Sequence, residues 1–180
     1  MMQITAVAWL RSWLEQLLLR RAPQDDRLSY SVLGLALAAY LLIDLLQSLS
    51  SSVFTVGVAM SLVDTVLLML FVWLVLSVAG KAVRLVQTLT ALAGTGALLG
   101  LIGLPLVHQA AQAHSIEAGP SSAMVLAWLA LLAWSIAVQA HIFRHALSTR
   151  YGIGLLLAGA HTILAIAILE SLFPRVIEGS

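Results

Sequence analysis

Four ionisable side chains fall inside long apolar runs of this chain: Asp44, Asp64, His161 and Glu170. A charge inside lipid is costly, so an acid or imidazole kept there marks either a proton or ion site or a polar contact that orients helices. Asp44 stands late in the run Tyr30 to Leu49, and Asp64 stands early in the next, Val58 to Val78. The short connection SSSVFT makes these runs antiparallel neighbours, which puts both carboxylates about 6 to 12 Å below one surface at 1.5 Å per residue. Carboxylates that meet share a proton or hold a cation, because neighbouring like charges do not both ionise cheaply. Tyr40 and Gln47 flank Asp44 on its own face and Ser61 precedes Asp64, so hydrogen bonding that merely orients the hairpin is the competing role. Glu170 lies near the same surface, whereas His161 lies at mid-membrane and points the opposite way from Glu170. A neutral imidazole hydrogen-bonded within the bundle is the plainer role for His161.

Weaker constellations surround these. His141 and His145 have the i,i+4 spacing of a helical metal pair, but no third ligand stands nearby in sequence and Arg144 lies beside them. His108, His114 and Glu117 share a loop and could bind zinc by the same chemistry. Neither set makes a full ligand shell, so no metal is expected. HExxH, GxSxG with a partner set and GxxxxGK[ST] are all missing, and the glycines of AGTGALLGLIG have no βαβ unit around them. The chain is therefore expected to have no catalytic residues and no cofactor.

The elements that must position these residues are membrane helices. Hydrophobic residues make up 61% of 180, charged residues 9%, and mean hydropathy is +1.02. Those values exclude an ordinary soluble domain, and a net charge of +1 offers no field for nucleic acid. No cysteine is present, which removes disulfides and thiolate chemistry. Five apolar runs, Tyr30 to Leu49, Val58 to Val78, Thr88 to Val107, Ser122 to Phe143 and Tyr151 to Leu172, each have the roughly 20 residues that a bilayer core needs. With the N-terminus inside, Arg175 alone of the nine Lys and Arg residues falls outside, which predicts five spans, N-in and C-out. The segment before them, MMQITAVAWLRSWLEQLLLRR, lacks a basic n-region and a cleavage site, so no cleaved signal peptide is expected. It reads as an amphipathic interfacial helix, with Val7, Trp9, Leu10, Trp13, Leu14 and Leu17 on one side and Arg11, Ser12, Glu15 and Gln16 on the other. The expected fold is thus an all-α bundle of five transmembrane helices, residues 30–172, with an amphipathic helix and linker at 1–29 and a short external tail at 173–180.

The third run is its hub. Leu89, Ala93, Gly96, Gly100 and Gly103 fall within about 80° on a helical wheel, a flat face that lets another helix approach closely. Gly154, Ala158, Thr162 and Ala165 make a second small-residue surface near His161. Pro105 is expected to kink the third span near its outer end. The order of an N-terminal helix, an RRAPQD linker and five compact spans, together with the glycine-rich QTLTALAGTGALLGLIGLPL, resembles the bacterial Yip1-like membrane proteins. Eukaryotic members of that family are associated with small GTPases and vesicle traffic, and the bacterial ones imply no particular activity. No long N-terminal domain that could bind a GTPase precedes the spans here. The expected function is a non-enzymatic protein of the bacterial inner membrane that acts by packing with lipid, itself or a membrane-protein partner, in a scaffold or membrane-organising role. A small proton or cation channel or transporter using the intramembrane acids is the alternative.

Overall fold

The computed structural model describes residues 6–50, 53–115 and 121–174. Six α-helices are present among them: α1 Ala6–Leu17, α2 Tyr30–Ser48, α3 Phe54–Val78, α4 Leu85–Ser115, α5 Ser122–Leu147 and α6 Tyr151–Leu172. The last five are each long and apolar enough to cross a membrane. The chain is an all-helical, multi-pass membrane protein.

Local chemistry sets the helix ends. Ser29 and Ser121 cap α2 and α5 by accepting from Val32 N–H and Met124 N–H. Helices α1, α3 and α5 close in the same way, on a residue in the left-handed region: Leu19, Gly80 and Ser148. The following amide then bonds back across the last turn, as Arg20 to Glu15, Lys81 to Leu76 and Thr149 to Arg144. Glycine suits that conformation, whereas Leu19 holds it at a cost of roughly 1 kcal/mol.

The ends of α3 and α5 lie at one end of the bundle, which carries most of the cationic residues. Arg84 ties the two together by donating to the carbonyls of His145 (3.2 Å) and Ala146 (2.8 Å) and to the Ser148 hydroxyl (2.8 Å). These bonds satisfy carbonyls that the end of α5 leaves unpaired.

Helix α4 is the centre, packing on α1, α2, α3 and α5. Its small-residue face is filled by the chain itself. The Trp13 indole lies on Gly94, and a Cβ at Gly96 would stand 2.7 Å from the Tyr40 ring. At Gly100 it would meet Ile43 at 2.7 Å and the Gln47 amide at 3.0 Å, and at Gly103 it would meet Leu131 at 3.1 Å. Ala93 is wholly buried beside Trp13 and Ala36, and Leu89 is buried in the main core. Gly154 brings α6 onto α5 more tightly still, because a Cβ there would enter the Ala140 backbone carbonyl. Gly154, Ala158, His161 and Ala165 form the buried stripe of α6.

Two expectations require correction. Residues 108–115 continue α4 rather than forming a loop, with Pro105 inside the helix. Proline removes one backbone bond but does not forbid helix on both sides when neighbours cover the gap. His108 is therefore a helical residue, joined to Gln112 one turn on at 3.0 Å, while Glu117 and Arg175 lie outside the described residues. The second correction concerns α1. Its buried face is Trp9, Ser12, Trp13, Gln16 and Leu17, whereas Val7, Leu10 and Leu14 point outward. Trp13 reaches Gly94, about 13 Å along α4 from Leu85, and the Trp134 indole donates to Leu17 O at 3.1 Å. The helix lies against the flanks of α4 and α5 instead of across the end of the bundle.

Candidate functional site

Each membrane helix contributes to a chamber of about 180 Å³ near mid-membrane. Tyr40 comes from α2, Leu68 from α3, Thr95 and Gly96 from α4, Ser135 and Gln139 from α5, and His161 from α6. The bareness of Gly96 matters here, because the Tyr40 ring crosses it to reach α3. There the Tyr40 hydroxyl donates to Asp64 Oδ2 at 2.5 Å.

The four sequence-selected groups separate. Asp44 lies within electrostatic reach of Asp64 and of the Ser61 hydroxyl. Asp64 also acts electrostatically on His161, whose ring stacks on Phe71 with centroids 5.1 Å apart. Glu170 does not join them. It lies exposed near the far end of α6, with no bond among the described residues. The expected partners of Asp44 go elsewhere, since Tyr40 spans to Asp64 and Gln47 donates to Gly100 O at 2.8 Å.

The chamber holds unsatisfied polar atoms. His161 is 7% exposed, yet neither ring nitrogen has a hydrogen-bond partner, and Gln139 Oε1 is likewise buried and unpaired. Buried polar groups are ordinarily bonded, so these atoms call for something to occupy the space. Towards the basic end the chamber is closed by the apolar core, in which Val72, Leu76, Leu89, Ile142 and Phe143 are all buried.

A second polar centre lies at the basic end, on a residue that the sequence reading passed over. Asp26 accepts from the Ser12 hydroxyl (2.6 Å) and the Gln16 amide (2.7 Å), pairs with Arg21 (2.9 Å), and takes the Gln87 amide on its backbone carbonyl (2.6 Å). Ser12 and Gln16 thus face inward as a clamp on the linker, not outward to water. His141 bonds Arg21 O through Nε2 at 3.2 Å, and its ring meets that of His145 with centroids 4.5 Å apart. No group of three metal-ligating side chains converges among the described residues. Around Glu15, hydrogen bonds from Arg11 (2.9 Å) and then Arg21 (3.2 Å) hold its carboxyl below the usual range.

The chain matches no family model, no curated protein and no solved structure. Its function therefore rests on this geometry.

Proposed function

We propose that this is a non-enzymatic protein of the bacterial inner membrane, Yip1-like in architecture, that organises the inner leaflet through its N-terminal helix. One observation carries the reading. Val7, Leu10, Leu14 and Leu18 form an apolar strip along α1, 44% exposed or more, that no part of the bundle covers. Beside that strip lie the lipid-facing flanks of the spans, so acyl chains are the natural cover. The roughly 46 Å of α4 exceeds a 30 Å bilayer core by about 8 Å at each end, which puts Gly94, and hence Trp13, several ångströms inside the hydrocarbon. Interfacial helices lie at that depth. The Asp26 clamp fixes α1 there as part of the bundle, so the helix is a rigid wedge in one leaflet. Clustering of Arg20, Arg21, Arg27, Lys81, Arg84, Arg144 and Arg150 at this end supports a cytoplasmic N-terminus.

Because the chain contains no cysteine, single labels test the wedge cleanly. An environment-sensitive dye on Leu10→Cys or Leu14→Cys is expected to report hydrocarbon in vesicles, and on Arg11→Cys to report water. Equal signals from all three positions would remove the reading. Reconstituted at high density, the protein is expected to shrink vesicles, and Leu10→Ser with Leu14→Ser to abolish that effect.

His161 on the chamber, with Asp64 held behind Tyr40, favours the second reading, a small proton or cation channel. The apolar plug beneath the chamber speaks for binding without passage.

A further inference from the structure

Apart from leucine, valine and glycine, the chamber at mid-membrane is lined mostly by acceptors. The Tyr40 proton is committed to Asp64, the Thr95 proton to Ala91 O at 2.7 Å, and the Ser135 proton to Leu132 O at 2.8 Å. What these three hydroxyls turn toward the space is lone pairs. Gln139 Oε1 is an unpaired acceptor as well. A neutral imidazole at His161 adds one acceptor and one N–H, both unpartnered. Asp64 stands behind the Tyr40 hydroxyl, outside the lining itself, and no Lys or Arg lines the space.

This inventory rejects most occupants. An anion would find acids and almost no donors. A divalent transition metal would find a single imidazole and no second strong ligand. An alkali ion could take the hydroxyl and amide oxygens but would leave His161 unpaired, because an imidazole nitrogen is a poor ligand for it. Apolar ligands would leave His161 and Gln139 unsatisfied at a cost of about 1 to 3 kcal/mol each. A compact cation rich in donors meets every condition, and about 180 Å³ leaves room for it with several waters.

We propose that the chamber is a binding site for a small cation whose charge is carried on N–H or O–H donors, of the ammonium or hydrated-proton class. His161 and Gln139 accept from the cation directly, while Asp64, oriented by Tyr40, and Asp44 balance its charge. Of the titratable groups, Tyr40 on α2 and His161 on α6 line the site, while Asp64 on α3, bonded to Tyr40, and Asp44 on α2 lie behind it; α4 and α5 add hydroxyls and an amide only. With the apolar core closing the basic end, the site fills from the other side.

The test is nitrogen NMR of histidine-labelled protein in lipid nanodiscs, with the His161 signal assigned by its loss in His161→Gln. Ammonium chloride at fixed pH is expected to shift that signal saturably, and sodium chloride at equal ionic strength is not. The ammonium response is expected to weaken at least tenfold in Asp64→Asn and in Gln139→Leu. A pH titration without ammonium distinguishes the two occupants: a transition of His161 that Asp64→Asn displaces assigns the hydrated proton. Should Asp64→Asn fail to fold, Tyr40→Phe keeps the ring on Gly96 and removes only the hydroxyl, with the same weakening expected. No response of His161 to either ammonium or pH would overturn the proposal, and so would an equal response to sodium.

Discussion

Asp26 and Asp64 are both carboxylates drawn away from water, and the chain treats them in opposite ways. Asp26 gathers a hydroxyl, an amide and a guanidinium from α1 and its linker, every one within 2.9 Å, and its backbone carbonyl is tied to α4 as well. Asp64 has one strong donor, Tyr40, with a second acid on one side and an unpartnered imidazole on the other. A carboxylate surrounded by fixed donors has its lost hydration replaced by protein, and its value is structural. One left with a single donor, one bond from a chamber whose polar atoms lack partners, keeps part of its bonding capacity open. Packing within one small bundle therefore separates a fastening point from a place where chemistry remains open.

The sharpest way to break that distinction is at Asp26. Replacing it with leucine leaves the buried Ser12 and Gln16 without their acceptor and Arg21 without its counter-charge. The expected loss is about 3 kcal/mol, the low end for breaking a buried pair because Arg21 keeps some contact with solvent. Thermal unfolding in mild detergent measures it, and freed Trp9 and Trp13 would report the undocking of α1 by a red shift in fluorescence. An unchanged melting temperature would show that Asp26 is no more structural than Asp64.

Substitution at Asp64 is expected to matter much less for stability. Asparagine keeps an oxygen that accepts the Tyr40 hydroxyl, so Asp64→Asn should cost no more than about 1 kcal/mol, the worth of one ordinary hydrogen bond. Circular dichroism and the melting temperature check this. A loss as large as that of Asp26→Leu would make Asp64 a second fastening point and erase the contrast.

The fold was readable because its signals are long-range averages. Twenty-residue apolar runs and clustered Lys and Arg survive any local error, so the five spans follow from length and charge. What one residue does inside the bundle depends on directions that periodicity does not report. Tyr40 crosses to α3 instead of bonding within α2, because Gly96 leaves a path for its ring. Asp26 sits in APQDDRLS, a stretch that looks like solvated linker, and nothing in its composition shows that the linker folds under α1. A signal was nonetheless present: Ser12 and Gln16, spaced i and i+4, share a row beside Trp9 on the helical wheel, and polar residues next to a tryptophan that the fold buries suggest a buried bond. Gln139 could have been found more simply, as the lone amide in the run Ser122 to Phe143. The length of α4 was missed for another reason, since HQAAQAHS after Val107 is polar enough to read as a loop although it continues the helix.

The smallest effect is expected from Glu15, which shares Arg21 with Asp26 but faces outward, and it shows what burial adds to the same partner. Arg11 first and Arg21 second stabilise the charged form of Glu15, so its carboxyl titrates below the usual range in the folded protein. A depressed folded-state value means that the unfolded chain takes up its proton first. The contribution is therefore complete above the usual glutamate range and is lost as the pH falls through the lower, folded-state value. Solvent screens such a pair, so the change in melting temperature should be slight. Comparing the pH dependence of melting for the native chain and Glu15→Gln from neutrality to about pH 3 isolates it. The variant should lose only the acid-side slope due to Glu15, and high salt should bring the two curves together. Coincident curves at low salt would mean that Arg21 is engaged by Asp26 alone, making the buried carboxylate the sole anchor of the linker.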